Sequence, residues 1–335
     1  MRSRRNTPRI IAIGGGKGGV GKTTIAANLA LAIGRTGHRV CVVDADLGAA
    51  NLHTALGVLH PQRCLADFID HQTEQLEDVM TQVTPTVQLA AGTSRPGSAN
   101  LGATEKLRLL RAIAGLETEV VIIDVGAGTS YTVVDLFAAA DHKLLVVCPQ
   151  LTSLHNAYAL LKACVHRVVR KHATDEMHKD LIDSALGQES KARTIPQLLG
   201  TLRPLDETLT SSIERTLARF GVSLVGNQLS TILEGEALRK MTPLIRDKLM
   251  LNAPFIGGIK RSASLAGSLS AGVGTIASRP NDEAHLAFRQ LADTILSTDL
   301  SVIRGISSGE PTRGPAPTVP QWIQRGLEAD AAAGR

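Results

Sequence analysis

The chain has 335 residues, of which 43% are hydrophobic and 20% are charged, so it can bury a sizeable core in water. Aromatic residues make up only 2%, which argues against binding nucleic acid by stacking bases on aromatic side chains. The four cysteines show no C-x-x-C spacing, and no stretch of about 18 apolar residues runs uninterrupted. We therefore expect a reduced cytoplasmic protein that has no structural metal and does not span a membrane.

Short apolar runs alternate with longer helical patterns along most of the chain. Strands are predicted at residues 9–13, 39–43, 87–91, 120–123, 143–148, 222–227 and 254–258. Helices are predicted at residues 22–35, 104–116, 153–171, 236–250, 263–271 and 282–296. Strands that are nearly continuously apolar and are joined by crossover helices predict a parallel sheet covered on both faces. The predicted fold class is α/β, with a doubly wound and mainly parallel sheet.

The middle of the chain interrupts this alternation at residues 172–221. This segment is polar and has helical patterns at residues 176–186, 195–202 and 209–220. We interpret it as a helical insertion within one domain that spans residues 9–300, and as a candidate surface for a partner.

Both ends of the chain differ from the domain between them. Residues 1–8 are basic, and we interpret them as a solvated tail, with a contact to nucleic acid or anionic lipid as the alternative. Residues 301–335 are predicted to form a flexible tail, because residues 305–320 are rich in Gly, Ser, Thr and Pro. Within this tail, residues 321–332 allow one short helix.

A glycine-rich segment, GGGKGGVGKTT, lies between the first predicted strand and the first predicted helix. It contains the spacing G-x-x-x-x-G-K-T, and its strand-to-helix context is the one that a true phosphate loop requires. The glycines let backbone N–H groups converge on phosphate oxygens, and the helix N-terminus adds a favourable dipole. Lys22 is predicted to contact the β- and γ-phosphates, and the Thr23 hydroxyl to ligate Mg²⁺. The nucleotide contacts that the phosphate loop predicts are Gly16, Gly18, Gly19, Val20, Gly21, Lys22, Thr23 and Thr24.

Three aspartates follow predicted strands at the edge of the sheet where ligands bind in open α/β folds. Asp44 and Asp46 follow the second strand, and their i, i+2 spacing points both carboxylates the same way if the strand stays regular. Asp124 closes the apolar run Val-Val-Ile-Ile, which has the Walker B form. We predict that Asp124 holds a water molecule on Mg²⁺.

The loop carries a second lysine, Lys17, which phosphate binding does not require. The full string K-G-G-V-G-K-T-T resembles the deviant Walker A motif of the MinD/ParA family of positioning ATPases. The string D-A-D-L-G-A-A-N, which begins at Asp44, resembles switch I of that family, and V-G-A-G at residues 125–128 resembles its switch II. The resemblance covers roughly residues 9–300 and implies a P-loop NTPase fold of the SIMIBI type that binds ATP and Mg²⁺.

The resemblance also implies a role for each remaining site residue. It implies that two subunits close over ATP and that Lys17 reaches the phosphates bound by the partner subunit. Asp46 is predicted to orient the attacking water, while Asp44 is structural or supports Mg²⁺ indirectly. A backbone N–H of the segment that contains Gly126 is predicted to meet the γ-phosphate. Asn227 is predicted to hydrogen-bond adenine, with an ordinary turn residue as the alternative.

One further segment narrows the resemblance. Residues 149–162, PQLTSLHNAYALLK, resemble the stretch P-E-x-T-S-x-x-[DN]-A-Y-x-x-x-K of the flagellar-number regulators (FlhG, also called FleN or YlxH) and related MinD-like proteins. Gln150 stands where glutamate is usual in that stretch. Asn156 replaces an aspartate that in MinD helps to hold the signature lysine, which leaves open how Lys17 is controlled here.

The C-terminal residues depart from MinD, which ends in a basic amphipathic membrane helix. Here Trp322, Ile323 and Leu327 offer an apolar face, but residues 319–328 contain only one basic residue. So small an apolar area gives marginal membrane affinity, and we predict a frayed tail.

Three functions remain open on the sequence. The first is an ATPase that dimerises when it binds ATP and so regulates flagellar number and placement or the division site. It would act with an activator or scaffold protein, and its ATP turnover would be slow without that activator. Peripheral contact with the inner membrane is an alternative to a purely cytoplasmic location. The second is a ParA-type partition ATPase that binds DNA. Its candidate contacts are Lys260, Arg261, Arg239, Lys240, Arg246 and Lys248. The third, an iron–sulfur carrier ATPase, needs closely spaced cysteines that this sequence lacks.

Overall fold

The computed structural model describes residues 7–93, 101–173, 175–186, 194–265, 282–299 and 321–332. The strands within these ranges are β1 Arg9–Gly14, β2 Val40–Ala45, β3 Met80–Thr84, β4 Val87–Ala90, β5 Val120–Val125, β6 His142–Val147, β7 Val222–Leu229 and β8 Phe255–Lys260. They form one sheet in the order β3-β4-β2-β5-β1-β6-β7-β8. All neighbours are parallel except β3 and β4, which are antiparallel. The predicted, mainly parallel sheet is therefore confirmed.

The helices within the described ranges cover both faces of the sheet. They are α1 Lys22–Arg35, α2 Leu52–Ala55, α3 Leu65–Ile69, α4 Ala103–Gly115, α5 Tyr131–Ala139, α6 Leu151–His172, α7 Glu176–Leu186, α8 Ile195–Leu202, α9 Glu207–Ala218, α10 Ile232–Arg239, α11 Met241–Leu249, α12 Glu283–Ser297 and α13 Gln321–Ala332, with a 3₁₀ turn at Leu76–Val79. None of these helices is long and apolar enough to cross a membrane.

Two hydrophobic cores lie on opposite faces of the sheet. In β5, Val121 and Ile123 point into one core, while Val120 and Ile122 point into the other, as the period of two in a strand requires. Helices α4, α5 and α6 and the insertion helices α8 and α9 pack on the first face. Helices α1 and α12 cover the second. Burial on both faces explains why the strand sequences are continuously apolar rather than alternating.

Several elements differ from the sequence expectation. The helix predicted at residues 236–250 is two helices, α10 and α11. Pro243 occupies the first turn of α11, where its missing N–H is tolerated, whereas one continuous helix would need that N–H. The edge strand β3 and the helix α5 were not predicted. Of the helix predicted at residues 263–271, only residues 263–265 are described, and they are helical.

The C-terminal helix α13 corrects the expectation of a frayed tail. It packs against α4 and α6, and Leu327 is fully buried in the first core. Glu328 forms an ion pair with Arg111 of α4 at 3.1 Å. The buried Leu327 and this ion pair hold the short helix against α4 and α6. The sequence periodicity did not predict this packing. The predicted linker at residues 305–320 lies outside the described residues.

Asp135 on α5 holds three helices together. Its fully buried carboxylate accepts hydrogen bonds from Lys106 Nζ of α4 at 3.0 Å and from Nε and Nη2 of Arg167 on α6, both at 2.9 Å. Burial alone would raise the pKa of Asp135, but the hydrogen bonds from Arg167 and the surrounding positive charges lower it below its usual value. Asp135 is therefore ionised at neutral pH.

Replacing Asp135 with alanine should destabilise the fold by about 3–5 kcal/mol, because the buried Lys106 and Arg167 would lose their counter-charge. Urea unfolding followed by circular dichroism measures this loss. Asp183→Ala is the matched control, since Asp183 pairs with Arg170 of the same helix α6 but is 40% exposed, and its loss should cost about 1 kcal/mol or less. Equal losses for the two variants would contradict the structural role given to Asp135.

Candidate functional site

The phosphate loop connects the central strand β1 to α1 at the carboxyl edge of the sheet. Gly19 and Gly21 have φ angles of 80° and 90°, in the left-handed region that favours glycine. Gly16 lies directly against the backbone of α6, where a Cβ atom would overlap the carbonyl group of Asn156. The loop is therefore shaped by its glycines and rests on α6.

The end of β7 clamps the loop from the other side. Asn227 Nδ2 donates to the Val20 carbonyl at 2.8 Å, and Gln228 Nε2 donates to the Gly19 carbonyl at 3.1 Å. Asn227 is buried, whereas Gln228 adopts a positive φ of 56° that turns it towards the loop. The structure thus gives Asn227 a contact with the loop backbone. Its predicted bond to adenine stays a prediction, and Gln228 has no motif by which sequence reasoning could have found it.

The two lysines of the loop lie in different environments. Lys22, the first residue of α1, is buried, whereas Lys17 is exposed at the surface of the loop. The side chain of Asn156 donates to the Thr152 carbonyl of its own helix at 2.7 Å. Asn156 therefore meets the loop through its main chain at Gly16, and its amide is bonded within α6.

Asp44 and Asp124 face each other across β2 and β5, where they are paired in register. Both carboxylates are fully buried. Asp44 Oδ1 accepts from the Asp46 backbone N–H at 3.2 Å, and its Oδ2 accepts from the Leu52 N–H at 3.0 Å. Asp44 therefore fixes the start and the end of the loop between β2 and α2. Whether it also supports Mg²⁺ indirectly stays a prediction.

The surroundings of the Asp124 carboxylate are those of a cation-binding site. Neither of its oxygens has a hydrogen-bond partner within the described part of the chain. Burial, reinforced by the charge of Asp44, raises the pKa of Asp124 to about 8, although Thr23 and Lys22 act in the opposite direction. Burial also raises the pKa of Asp44 to about 6. Two buried carboxylates of which one lacks a partner fit a hard divalent cation with oxygen ligands, such as Mg²⁺.

Asp46 lies where the loop after β2 approaches the loop after β5. A Cβ atom at Gly126 would lie 3.1 Å from Asp46 Oδ1, so the two segments lie close together here. Asp46 is half-buried, and its carboxylate lies beside the Gly126 backbone. Its predicted role in orienting the attacking water stays a prediction. Gly92, after β4, makes a similar approach: its Cβ would lie 2.8 Å from Asp44 Cγ. Sequence reasoning missed Gly92, because only its position after a strand marked it.

The model of the CobQ/CobB/MinD/ParA nucleotide-binding domain matches residues 11–276 of this chain. The chain belongs to this family. It is 41% identical over 157 residues to the antiactivator FleN of Pseudomonas aeruginosa, covering 46% of this chain and 55% of FleN. It is 29% identical over 172 residues to the flagellum site-determining protein YlxH of Helicobacter pylori, covering 47% of this chain and 54% of YlxH. The chain thus spans about half the length of these relatives.

Solved structures of the family share the fold. A septum site-determining protein MinD from Pyrococcus horikoshii OT3, solved with Mg-ADP, aligns with a TM-score of 0.58 at 20% identity, over 90% of this chain and 100% of that one. At this identity the likeness shows the fold alone. Together with the family match, it confirms the P-loop NTPase architecture and the recognition of a MinD/ParA family member.

Proposed function

We propose that the protein is an ATP-hydrolysing switch, which dimerises over ATP and Mg²⁺ to regulate the number or placement of a cellular structure. One observation carries the proposal. The loop presents Lys22 buried beside the site and Lys17 exposed at the surface, available to the nucleotide of a second subunit. Relatives support the regulatory role: YlxH is named a flagellum site-determining protein, and a relative from Helicobacter pylori that is 30% identical over 183 residues is named a septum site-determining protein MinD.

In this mechanism some residues bind the nucleotide and Mg²⁺, and Asp46 positions the attacking water and accepts its proton. The loop amides and Lys22 hold the phosphates, and the Thr23 hydroxyl and the Asp124 carboxylate would hold Mg²⁺. When bound, Mg²⁺ neutralises charge on the phosphate oxygens. Asp46 orients the attacking water and takes its proton. Turnover is slow without an activator or scaffold partner that completes the site.

The experiment that tests the proposal compares molar mass by light scattering with and without ATP. Wild type should shift from monomer to dimer with ATP and Mg²⁺, and Lys17→Ala should remain a monomer while it still binds ATP. Lys248→Ala removes a lysine of α11 that is also exposed, and this variant should dimerise normally. A Lys17→Ala chain that dimerises as wild type does would overturn the cross-subunit role.

The DNA-binding alternative rests on basic residues that are partly neutralised in the structure. Arg239 pairs with Glu236 at 3.2 Å, Arg246 is 3.5 Å from Asp247, and Lys260 pairs with Glu283. Neutralised cations release fewer counterions from DNA, so these residues give the alternative less support. Fluorescence anisotropy with labelled duplex DNA distinguishes the two functions. ATP-dependent binding that weakens steeply with salt would favour a partition ATPase over the proposed regulator.

A further inference from the structure

The strand β7 is irregular where it ends beside the phosphate loop. Gly226 pairs with Gly258 of β8, and Leu229 pairs with Lys260. Three steps along β7 therefore match two steps along β8, which means that β7 carries one extra residue here, as in a β-bulge. Gln228 lies in this bulge with a positive φ of 56°, a conformation that costs free energy in a residue other than glycine. A bulge next to a functional site commonly changes the direction of a side chain, and here that side chain is Gln228.

The side chain of Gln228 meets the phosphate loop. Its Nε2 donates to the Gly19 carbonyl at 3.1 Å, next to the bond of 2.8 Å that Asn227 Nδ2 donates to the Val20 carbonyl. Two consecutive carbonyl groups of the loop are therefore held by the end of β7. Where a Cβ atom would stand at Gly18 or Gly19, no atom of the described residues lies within 4 Å. Packing does not restrain the loop on that side, which leaves more of the restraint to the bond from Gln228.

Holding these carbonyl groups sets the direction of the N–H groups in the loop. In a trans peptide the C=O and the N–H that follows it point to opposite sides of the chain. A fixed Gly19 carbonyl therefore turns the Val20 N–H away from the side chain of Gln228, and a fixed Val20 carbonyl directs the Gly21 N–H in the same manner. Backbone N–H groups that converge in such a loop bind phosphate oxygens. The end of β7 thus arranges two phosphate donors in advance, which lowers the ordering cost of binding.

We propose that Gln228 is a positioning residue for nucleotide binding, which acts through the Gly19 carbonyl and does not touch the nucleotide itself. This role rests on the ATP binding of the proposed function. Gln228 differs in this respect from Asn227, for which a contact with adenine is also predicted. Because Gln228 acts on the donors for the phosphates, its loss should weaken a nucleotide and a phosphate chain without a base by the same factor.

The test compares two ligands that share phosphates but differ in the base. A fluorescent ATP analogue is displaced with ATP or with inorganic tripolyphosphate, both in the presence of Mg²⁺. Gln228→Met keeps a side chain of similar length but removes its donor, and it should weaken both ligands about three- to tenfold, as expected for one neutral hydrogen bond. Gln228→Gly removes the donor and also relieves the positive φ, and it should weaken both ligands too. Weakening in both variants assigns the effect to the donor rather than to the backbone conformation.

Gln82 provides the matched control. Its Nε2 also donates to main-chain carbonyl groups, those of Thr84 and Val87, but it lies on β3, at the opposite edge of the sheet from β8. Gln82→Met should leave the affinity for both ligands unchanged. Urea unfolding without nucleotide should give similar midpoints for Gln82→Met and Gln228→Met, since each loses the same kind of bond. A loss of affinity in Gln228→Met alone is then not a loss of fold.

Three outcomes contradict the positioning role. The first is a Gln228→Met chain that binds tripolyphosphate as tightly as wild type, because the loop would then not need the bond from Gln228. The second is a loss of affinity for ATP alone, because Gln228 would then act on the base. The third is a wild type that binds ATP but not tripolyphosphate, because donors arranged in advance should bind phosphates without a base. A wild type that binds neither ligand would instead contradict the proposed function itself.

Discussion

Replacing Asp46 with alanine is expected to slow ATP hydrolysis by about 100-fold or more while ATP still binds. Asp46 Oδ1 lies beside the Gly126 backbone, at the meeting point of the two segments that resemble switch I and switch II. The carboxylate is half-buried and sits one residue beyond β2, so it can approach a water at the γ-phosphate. Phosphate release measures turnover, and a fluorescent ATP analogue measures binding.

Because hydrolysis ends the ATP-bound state, the same variant should accumulate as a dimer in ATP. Asp247→Ala, which removes an exposed carboxylate from α11, should leave both turnover and dimerisation unchanged. If Asp46→Ala hydrolysed ATP at the wild-type rate, Asp46 would take no part in hydrolysis. A variant that no longer binds ATP would instead assign Asp46 to nucleotide or metal binding.

The elements that the sequence predicted share one physical property. Their buried residues either recur with a helical period or occupy every position of a strand. The seven predicted strands all exist, with ends within two residues, because a strand covered on both faces is a continuous apolar run. The strand β3 is different, since its residues are half-exposed and it pairs only at the sheet edge. Helix α5 is buried from Thr132 to Ala139, so it has no polar face to reveal a helical period.

In the site, too, the features that local sequence predicted differ from those that depend on residues far apart in the chain. Motif and strand position predicted Asp44 and Asp124, and the structure pairs them in register at the carboxyl edge of the sheet. Their roles towards Mg²⁺ remain predictions. The contact between Asn227 and Val20 joins residues 207 positions apart, so no local pattern could predict it. Docking of α13 depends in the same way on Arg167, which is 163 positions from Asp330.

Gly16→Ala is expected to destabilise the nucleotide-free protein by about 1–3 kcal/mol, through overpacking of the loop against α6. The added Cβ would overlap the Asn156 carbonyl and lie 2.9 Å from the Ala157 nitrogen. These are backbone atoms within a helix, so they cannot turn aside as the end of a side chain can. Either the loop or the start of α6 must move, and thermal and urea unfolding without nucleotide measure the cost.

Gly18→Ala provides the comparison within the same loop. No atom of the described residues lies within 4 Å of a Cβ at Gly18, so the nucleotide-free stability should stay within about 0.5 kcal/mol of wild type. The two substitutions add the same methyl group two residues apart, so a difference between them isolates the contact with α6. Equal stabilities would mean that the loop rests on α6 less closely than the structure shows. A displaced loop should also lose ATP affinity, because the amides that converge on the phosphates belong to the segment that moves.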